Sequence, residues 1–278
     1  VLPSRRKYDL LNYFMLIPPE ERNKVKYVSF DMWETYRIIT KHVFPSAICI
    51  TDHFHVIQEL NRRVDRVRIR VQNRFRKTIN TLKPKENNKT ITPEEIVELE
   101  EASRYYYVLK KFNWLLFSTN KKILDVNVDR KFNRTLNRYL NYSEILDFML
   151  AIDDELEDAF YLRNDVTYFY DHCTYDTAKK QLEKIIIDFR SSPIAEMSPF
   201  ANTLTNWKRE IINSFIIVDD KANRKMNTAI VENRNKSIKL IKHASNGYLN
   251  WERFRNRILY TLNEDTTFYY TSIRKDGK

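Results

Sequence analysis

Two acidic residues stand where short apolar runs end. Asp31 follows the run VKYVSF, and Asp52 follows SAICIT. A helix-like segment of about a dozen residues lies between the runs, which predicts a βαβ unit with neighbouring parallel strands. Ligands bind at the carboxyl ends of such strands, so both carboxylates are expected at one edge of the sheet. Carboxylate oxygens there suit a hard divalent cation such as Mg²⁺.

A third acid lies among bases on a predicted helix near the end of the chain. At about 100° per residue, Glu232 shares one side of this helix with Lys236, Lys239 and His243. Two interpretations stay open. The acid either forms an i,i+4 surface pair with lysine, worth a few tenths of a kcal/mol, or it is a functional carboxylate beside bases that bind phosphate.

The chain is strongly basic. Its 48 Lys and Arg outnumber 37 Asp and Glu, which gives a formal net charge of +11 and favours a polyanionic partner such as nucleic acid. Seven arginines fall between positions 62 and 76, on a segment whose apolar residues recur every three or four positions, as on one helix face. The arginines form either a solvated face or a surface that follows a phosphate backbone.

Composition excludes several classes of protein. Only two glycines occur, Gly247 and Gly277, whereas phosphate-cradling loops need several. No apolar run of about 18 residues is present, and the first residues lack the pattern of a signal peptide. Cys49 and Cys173 lack metal-ligand spacing. A soluble cytoplasmic protein without a membrane partner is therefore expected.

The pattern of elements predicts three regions. Residues 1–55 read as α/β structure and residues 56–218 as a series of helices, one of them over the segment RKFNRTLNRYL. Within that series, Thr92 followed by Pro93 and two glutamates is a helix-start signature. Residues 219–278 contain the helix with Glu232 and a tail. The chain is expected to be mostly helical.

Five segments together resemble consecutive blocks of the ISL3 family of bacterial insertion-sequence transposases. They occur in family order and are LPSRRKYDLLNYF, ERNKVKYVSFDMWETY, FPSAICITDHFHV, PFANTLTNWKREIINSF and ENRNKSIKLIKHASNGYLNWERFRNRIL. The resemblance implies a DDE domain with a ribonuclease H-like core. Residues 1–55 would be the N-terminal part of that core, 56–218 an all-helical insertion, and 219–278 the last core helix and tail.

The same resemblance implies the roles of the acids. Asp31 matches the second acid of the family and Glu232 the third, both as ligands of two Mg²⁺ or Mn²⁺ ions that support DNA cleavage and strand transfer. The first acid is expected on an earlier strand, upstream of VLPSR. The chain also begins with Val, so we expect an N-terminally truncated fragment with the first strands missing, which is inactive alone.

Some residues of the matched blocks keep alternative roles. Asp52 is an alternative metal ligand to Asp31, or it caps the following helix. His53 replaces an arginine that is common in the family, which makes any phosphate contact there dependent on pH. His55 is expected near the site without binding metal.

The expected partner is DNA, both transposon ends and target, in a homo-oligomeric transposition complex at the bacterial nucleoid. The residues expected to contact it are Lys236, Lys239, Lys242, Arg62, Arg66 and Arg70. The alternative is an inactive transposase relic, which would bind nucleic acid of any sequence without catalysis.

Overall fold

The computed structural model describes residues 2, 4–219, 224–225 and 229–262. They form two compact units. Unit 1 combines Val1–Cys49 with Asn227–Lys278, and unit 2 is Ile50–Met226. The sequence predicted functional regions with boundaries between residues 55 and 56 and between residues 218 and 219, and these boundaries stay a prediction.

Unit 1 begins with two helices, continues with a strand, a helix and a strand, and ends with two helices. Its elements are α1 (Lys7–Met15), α2 (Pro19–Arg22), β1 (Tyr27–Phe30), α3 (Glu34–Val43), the start of β2 (Ile48–Thr51), α11 (Ala229–Ala244) and α12 (Trp251–Leu262). Strands β1 and β2 are neighbours in a two-stranded sheet, and the amide of Ile48 donates to the carbonyl of Lys26 at 2.8 Å. The predicted order of strand, helix and strand is therefore confirmed.

A small apolar core holds α1, α3 and β1 together. Ile39, Val43 and Phe44 are buried, and partly buried side chains of α1 and β1 pack against them. The rings of Phe14 and Phe44 meet edge to face, with centroids 5.5 Å apart. Because this core holds β1 against α3, it determines where the turn with Asp31 lies.

Unit 2 is mostly helical. Its elements are α4 (His53–Asn87), α5 (Pro93–Lys111), a short 3-10 helix (Asn113–Phe117), β3 (Lys131–Asn133), β4 (Arg138–Leu140), α6 (Tyr142–Leu150), α7 (Asp154–His172), α8 (Tyr175–Ser191), α9 (Phe200–Asn206), α10 (Lys208–Asn213), β5 (Ile217–Asp219) and β6 (Arg224–Lys225). Helix α4 packs on α5 and α7, and α8 packs on α7, α9 and α10.

The predicted apolar face of α4 is confirmed. The side chains at the predicted spacing are fully buried, namely Val56, Leu60, Val64, Val67 and Val71. The predicted start of α5 is confirmed as well: Thr92 Oγ1 accepts from the amide of Glu95, and the Glu95 carboxylate accepts from the amide of Thr92.

The helix predicted over residues 130–140 is wrong. This segment forms an antiparallel hairpin in which Phe132 pairs with Tyr139. Asn133 Oδ1 accepts from the amides of Thr135 and Leu136, both at 3.1 Å, and Asn137 has a left-handed backbone with φ of 50°. Asn133 thus stabilises the turn by accepting main-chain hydrogen bonds, and Asn137 by tolerating the left-handed conformation. The helical series of unit 2 is interrupted here.

No helix in the described residues is long and apolar enough to cross a membrane. The strands described form three separate two-stranded sheets. The ribonuclease H-like core stays a prediction.

Candidate functional site

Asp31 occupies the turn between β1 and α3, directly after the last residue of the strand, as predicted. Its side chain is exposed. Its carbonyl accepts from the amide of Trp33 at 2.6 Å, and the guanidinium of Arg5 lies 5.5 Å from the centre of the Trp33 ring. The turn is therefore held by main-chain and aromatic contacts, and the Asp31 side chain lies at the surface.

Glu232 is the fourth residue of α11, and its side chain lies outside the described residues. Helix α11 belongs to unit 1, as does Asp31. It packs on α12, where Ile258 is buried, and Arg234 donates to the carbonyl of Leu262 at 3.0 Å. The helix that carries Glu232 is thus tied to a neighbouring helix at Arg234, two residues further along.

Three lysines follow Glu232 along α11. Lys236, Lys239 and Lys242 are all exposed, and none of them forms an ion pair with another described residue. A lysine without a carboxylate partner keeps its ammonium available for a phosphate, and the spacing of three residues places neighbouring lysines on the same side of the helix.

Asp52 has a structural role that the sequence also predicted. It is 4% exposed and caps α4, because its Oδ1 accepts from the amide of Phe54 at 2.9 Å. The hydroxyl oxygen of Tyr170 is buried nearby without a hydrogen-bond partner in the described structure. Burial first, and the charge of Asp52 second, raise the pKa of Tyr170. Asp52 is thus an enclosed cap, in contrast to the exposed Asp31.

The two histidines lie in the first turn of α4. His53 Nδ1 is 3.4 Å from Asp52 Oδ1, and its ring centre lies 5.6 Å from that of Tyr170. His55 packs edge to face with Phe54, with centroids 5.4 Å apart. Both histidines are therefore neighbours of Asp52 within unit 2.

The arginine run of α4 divides into inner and outer residues. Arg68 is buried and donates to Asp65 and to the carbonyl of Leu109. Arg70 bridges two carboxylates, those of Glu196 at 2.8 Å and Glu155. Hydrogen bonds to Glu196 and then Glu155 raise the pKa of Arg70. These two arginines connect helices, a role that sequence periodicity did not reveal.

Several side chains of α4, the linking Arg70 among them, line a surface groove. Arg62 is 60% exposed and lies 3.5 Å from Glu59, whereas Arg66 is exposed and lines a groove of about 600 Å³. Arg76 and Lys77 line the same groove. Arg76 belongs to the arginine run that the sequence singled out, but neither residue was among those expected to contact DNA. The signal was present, since Arg66, Arg70 and Lys77 recur at helical spacing.

Within the side chains described, no three His, Cys, Asp or Glu converge to form a metal site. The exposed Asp31 carboxylate suits a hard cation that keeps several waters and takes one or two protein carboxylates. Asp52 fits less well, because it is only 4% exposed.

A strand-end carboxylate, a lysine-bearing helix of the same unit and an arginine run on α4 are features expected of a protein that acts on nucleic acid. The chain belongs to the ISL3 family of DDE transposases, whose sequence model, described as "Transposase", matches residues 1–258.

A curated relative carries the same description. The transposase for insertion sequence element IS1001 of Bordetella parapertussis is 25% identical over 253 residues, which is 91% of this chain and 51% of that protein. The chain therefore spans about half the length of the relative. No solved structure matches the chain significantly.

Proposed function

We propose that this chain contributes two catalytic carboxylates to a DDE transposase, which cleaves DNA strands and transfers them in a metal-dependent reaction. Unit 1 would belong to a ribonuclease H-like core, and unit 2 would be its helical insertion. One observation carries the proposal: Asp31 and the helix with Glu232, far apart in the chain, belong to the same compact unit.

Asp31 and Glu232 would hold Mg²⁺ or Mn²⁺ through carboxylate oxygens. Two such ions, when bound, activate the attacking oxygen and stabilise the leaving oxygen of an in-line displacement at phosphorus. The family resemblance implies one further acidic ligand from an earlier strand. The exposed position of Asp31 at a strand end supports its role as a ligand. The role of Glu232 is supported by the position of its helix in the same unit.

The lysines of α11 and the outer arginines of α4 would bind DNA. Lys236, Lys239 and Lys242 follow the acid on its own helix and would hold phosphates near the reacting strand. Arg62 and Arg66 offer exposed guanidinium groups on α4, while Arg70 is engaged by two carboxylates and would contribute mainly to the local positive potential. The proposed partners are transposon ends and target DNA, in a homo-oligomeric complex in the bacterial cytoplasm.

Substitution of the two acids tests the proposal. Asp31→Asn or Glu232→Gln, introduced into the full-length parent transposase, should lower Mg²⁺-dependent strand cleavage by more than about 100-fold. Loss of a residue that only supports a metal ligand costs up to about 100-fold, and loss of a ligand itself should cost more. Both changes keep side-chain size and remove only the charge. Gel assays of nicking with Mg²⁺ and Mn²⁺ measure the effect.

Asp9→Asn provides a matched control, since Asp9 is an acid of α1 in the same unit and has no proposed role. It should cleave at the wild-type rate, and all three variants should bind DNA as the parent does. Retained cleavage by Asp31→Asn contradicts the proposal. A parent that binds DNA but never cleaves it supports the relic instead.

A further inference from the structure

The hairpin that interrupts unit 2 forms one side of a pocket. Strands β3 and β4, the end of α5 and the start of α6 enclose a volume of about 420 Å³. Pockets for small ligands range from about 300 to 1,000 Å³, so this one can accept a group the size of a nucleoside.

Aromatic rings dominate the pocket. Tyr107, Phe112, Phe132 and Tyr142 line it. Phe132 is 52% exposed and Tyr142 42% exposed, although a folded chain tends to bury rings of this size. Two exposed rings adjoin the pocket without lining it. Tyr139 lies 5.1 Å from Phe132 between ring centres, and Trp114 lies 5.2 Å from Tyr142.

Positive charge surrounds these rings. Lys111, Lys131 and Arg134 line the pocket, against a single acid, Asp129. Lys131 and Arg134 are exposed and form no ion pair with a described residue. The ammonium of Lys111 donates to the Tyr107 hydroxyl at 3.0 Å and lies 5.1 Å from the centre of that ring. Cations and aromatic rings thus line the same pocket.

The pKa of the Tyr107 hydroxyl is affected by the polar groups around it. Burial by itself would raise its pKa, but hydrogen bonds from Lys111, Thr135 and Asn133 outweigh that effect and lower the pKa. Hydrogen-bond donors therefore surround this hydroxyl at the base of the hairpin.

We propose that this pocket binds an unpaired nucleotide of a DNA strand, with the base stacked on Phe132 and Tyr142 and the flanking phosphates on Lys131 and Arg134. Aromatic platforms with adjacent cations are how proteins bind single strands, because every base has a face for stacking. The bases of a duplex are already stacked and cannot enter. The inference rests on the proposed function only in taking DNA as the partner.

The experiment compares binding of one labelled oligonucleotide as a single strand and as a duplex. Fluorescence anisotropy with the purified chain should show at least about fivefold weaker binding of the single strand by Phe132→Ala and by Tyr142→Ala, the lower end of what one stacked base contributes. Duplex binding should not change. In the parent chain, 5-iodouracil in the single strand should crosslink on irradiation to Phe132 or Tyr142, as identified by mass spectrometry.

Two matched variants separate stacking from folding and from general affinity. Phe132→Leu keeps an apolar side chain but removes the aromatic face, so it should lose single-strand binding as Phe132→Ala does. Tyr161→Ala removes a 54% exposed ring from α7 and should bind like the parent. Circular dichroism verifies that each variant is folded.

Three outcomes overturn the pocket proposal: unchanged single-strand binding in both alanine variants, equal losses for single strand and duplex, or no single-strand binding by the parent chain. None of them bears on the metal ligands, which the cleavage assay with Asp31→Asn tests separately. If Asp31→Asn abolishes cleavage but the pocket variants bind single strands as the parent does, the proposed function stands and only the pocket proposal fails.

Discussion

At the scale of single residues, the arginine run shows how one residue type serves different purposes. Arg70 lies between the carboxylates of Glu155 and Glu196, which come from parts of the chain remote from α4. The Arg70 side chain is 39% exposed and that of Glu196 is 17% exposed. The pair is therefore partly shielded from water and should stabilise unit 2 more than a surface pair does.

Replacing Arg70 by alanine should lower the free energy of unfolding by about 1 kcal/mol, the upper end for pairs that water still screens. Urea denaturation at neutral pH measures it. Arg104→Ala is the control, because its exposed pair with Glu100 at 3.0 Å should contribute less. An equal or larger loss for Arg104→Ala contradicts the linking role of Arg70.

The same pair predicts a dependence on pH. Arg70 holds the pKa of Glu196 below its ordinary value. A carboxylate with a lowered folded pKa stabilises the protein above its unfolded pKa, and this contribution is lost as the pH falls through the folded value. Denaturation midpoints should thus fall less between neutral and acid pH in Arg70→Ala than in the parent. An identical fall in both proteins contradicts the linkage.

At the scale of elements, α4 depends on the cap that Asp52 provides. Asp52→Ala should lower the free energy of unfolding by about 1 kcal/mol, whereas Asp52→Asn should cost much less, because asparagine caps a helix nearly as well as aspartate. Thermal denaturation measures both changes. Thr92→Ala is the matched control, since it removes the cap of α5 away from every candidate ligand.

These variants also separate the two possible roles of Asp52. In the full-length parent, Asp52→Asn should keep cleavage close to the wild-type level if Asp31 is the ligand and Asp52 only the cap. Loss of cleavage in a folded Asp52→Asn protein would move the ligand assignment to Asp52.

Elements with a strong local signal could be predicted from the sequence. The apolar spacing of α4 and the Thr92 cap of α5 are local, since each depends on residues within a few turns. The hairpin at residues 130–140 could not be predicted in the same way. Its strands are three residues each, too short to show an alternating pattern, and its register depends on the pairing of Phe132 with Tyr139 across the turn.

At the scale of the whole molecule, the net charge of +11 predicts DNA binding that weakens with salt, because each neutralised phosphate releases counterions. The salt dependence is the slope of the logarithm of the binding constant against the logarithm of the salt concentration. Replacing Lys236, Lys239 and Lys242 by alanine should reduce this slope by up to about 0.9 for each phosphate that the variant no longer neutralises. Anisotropy titrations with duplex DNA over a range of salt concentrations measure the slope.

The control removes the same charge from another exposed surface. Lys179, Lys180 and Lys184 lie exposed on α8, and their replacement by alanine should change the slope much less. Equal changes in the two triple variants would show that net charge, and not the position of the α11 lysines, controls binding.

The sequence by itself determined the order of local elements, the strand-end position of Asp31, the apolar face of α4, the positive charge and the resemblance to ISL3 transposases. All of these depend on neighbouring residues or on composition. Only the tertiary structure decided that residues 227–278 join residues 1–49 in one unit, that Arg70 binds two distant acids, and that aromatic and basic side chains of three elements form one pocket. Such contacts join positions far apart in the chain, and periodicity carries no record of which distant surfaces meet.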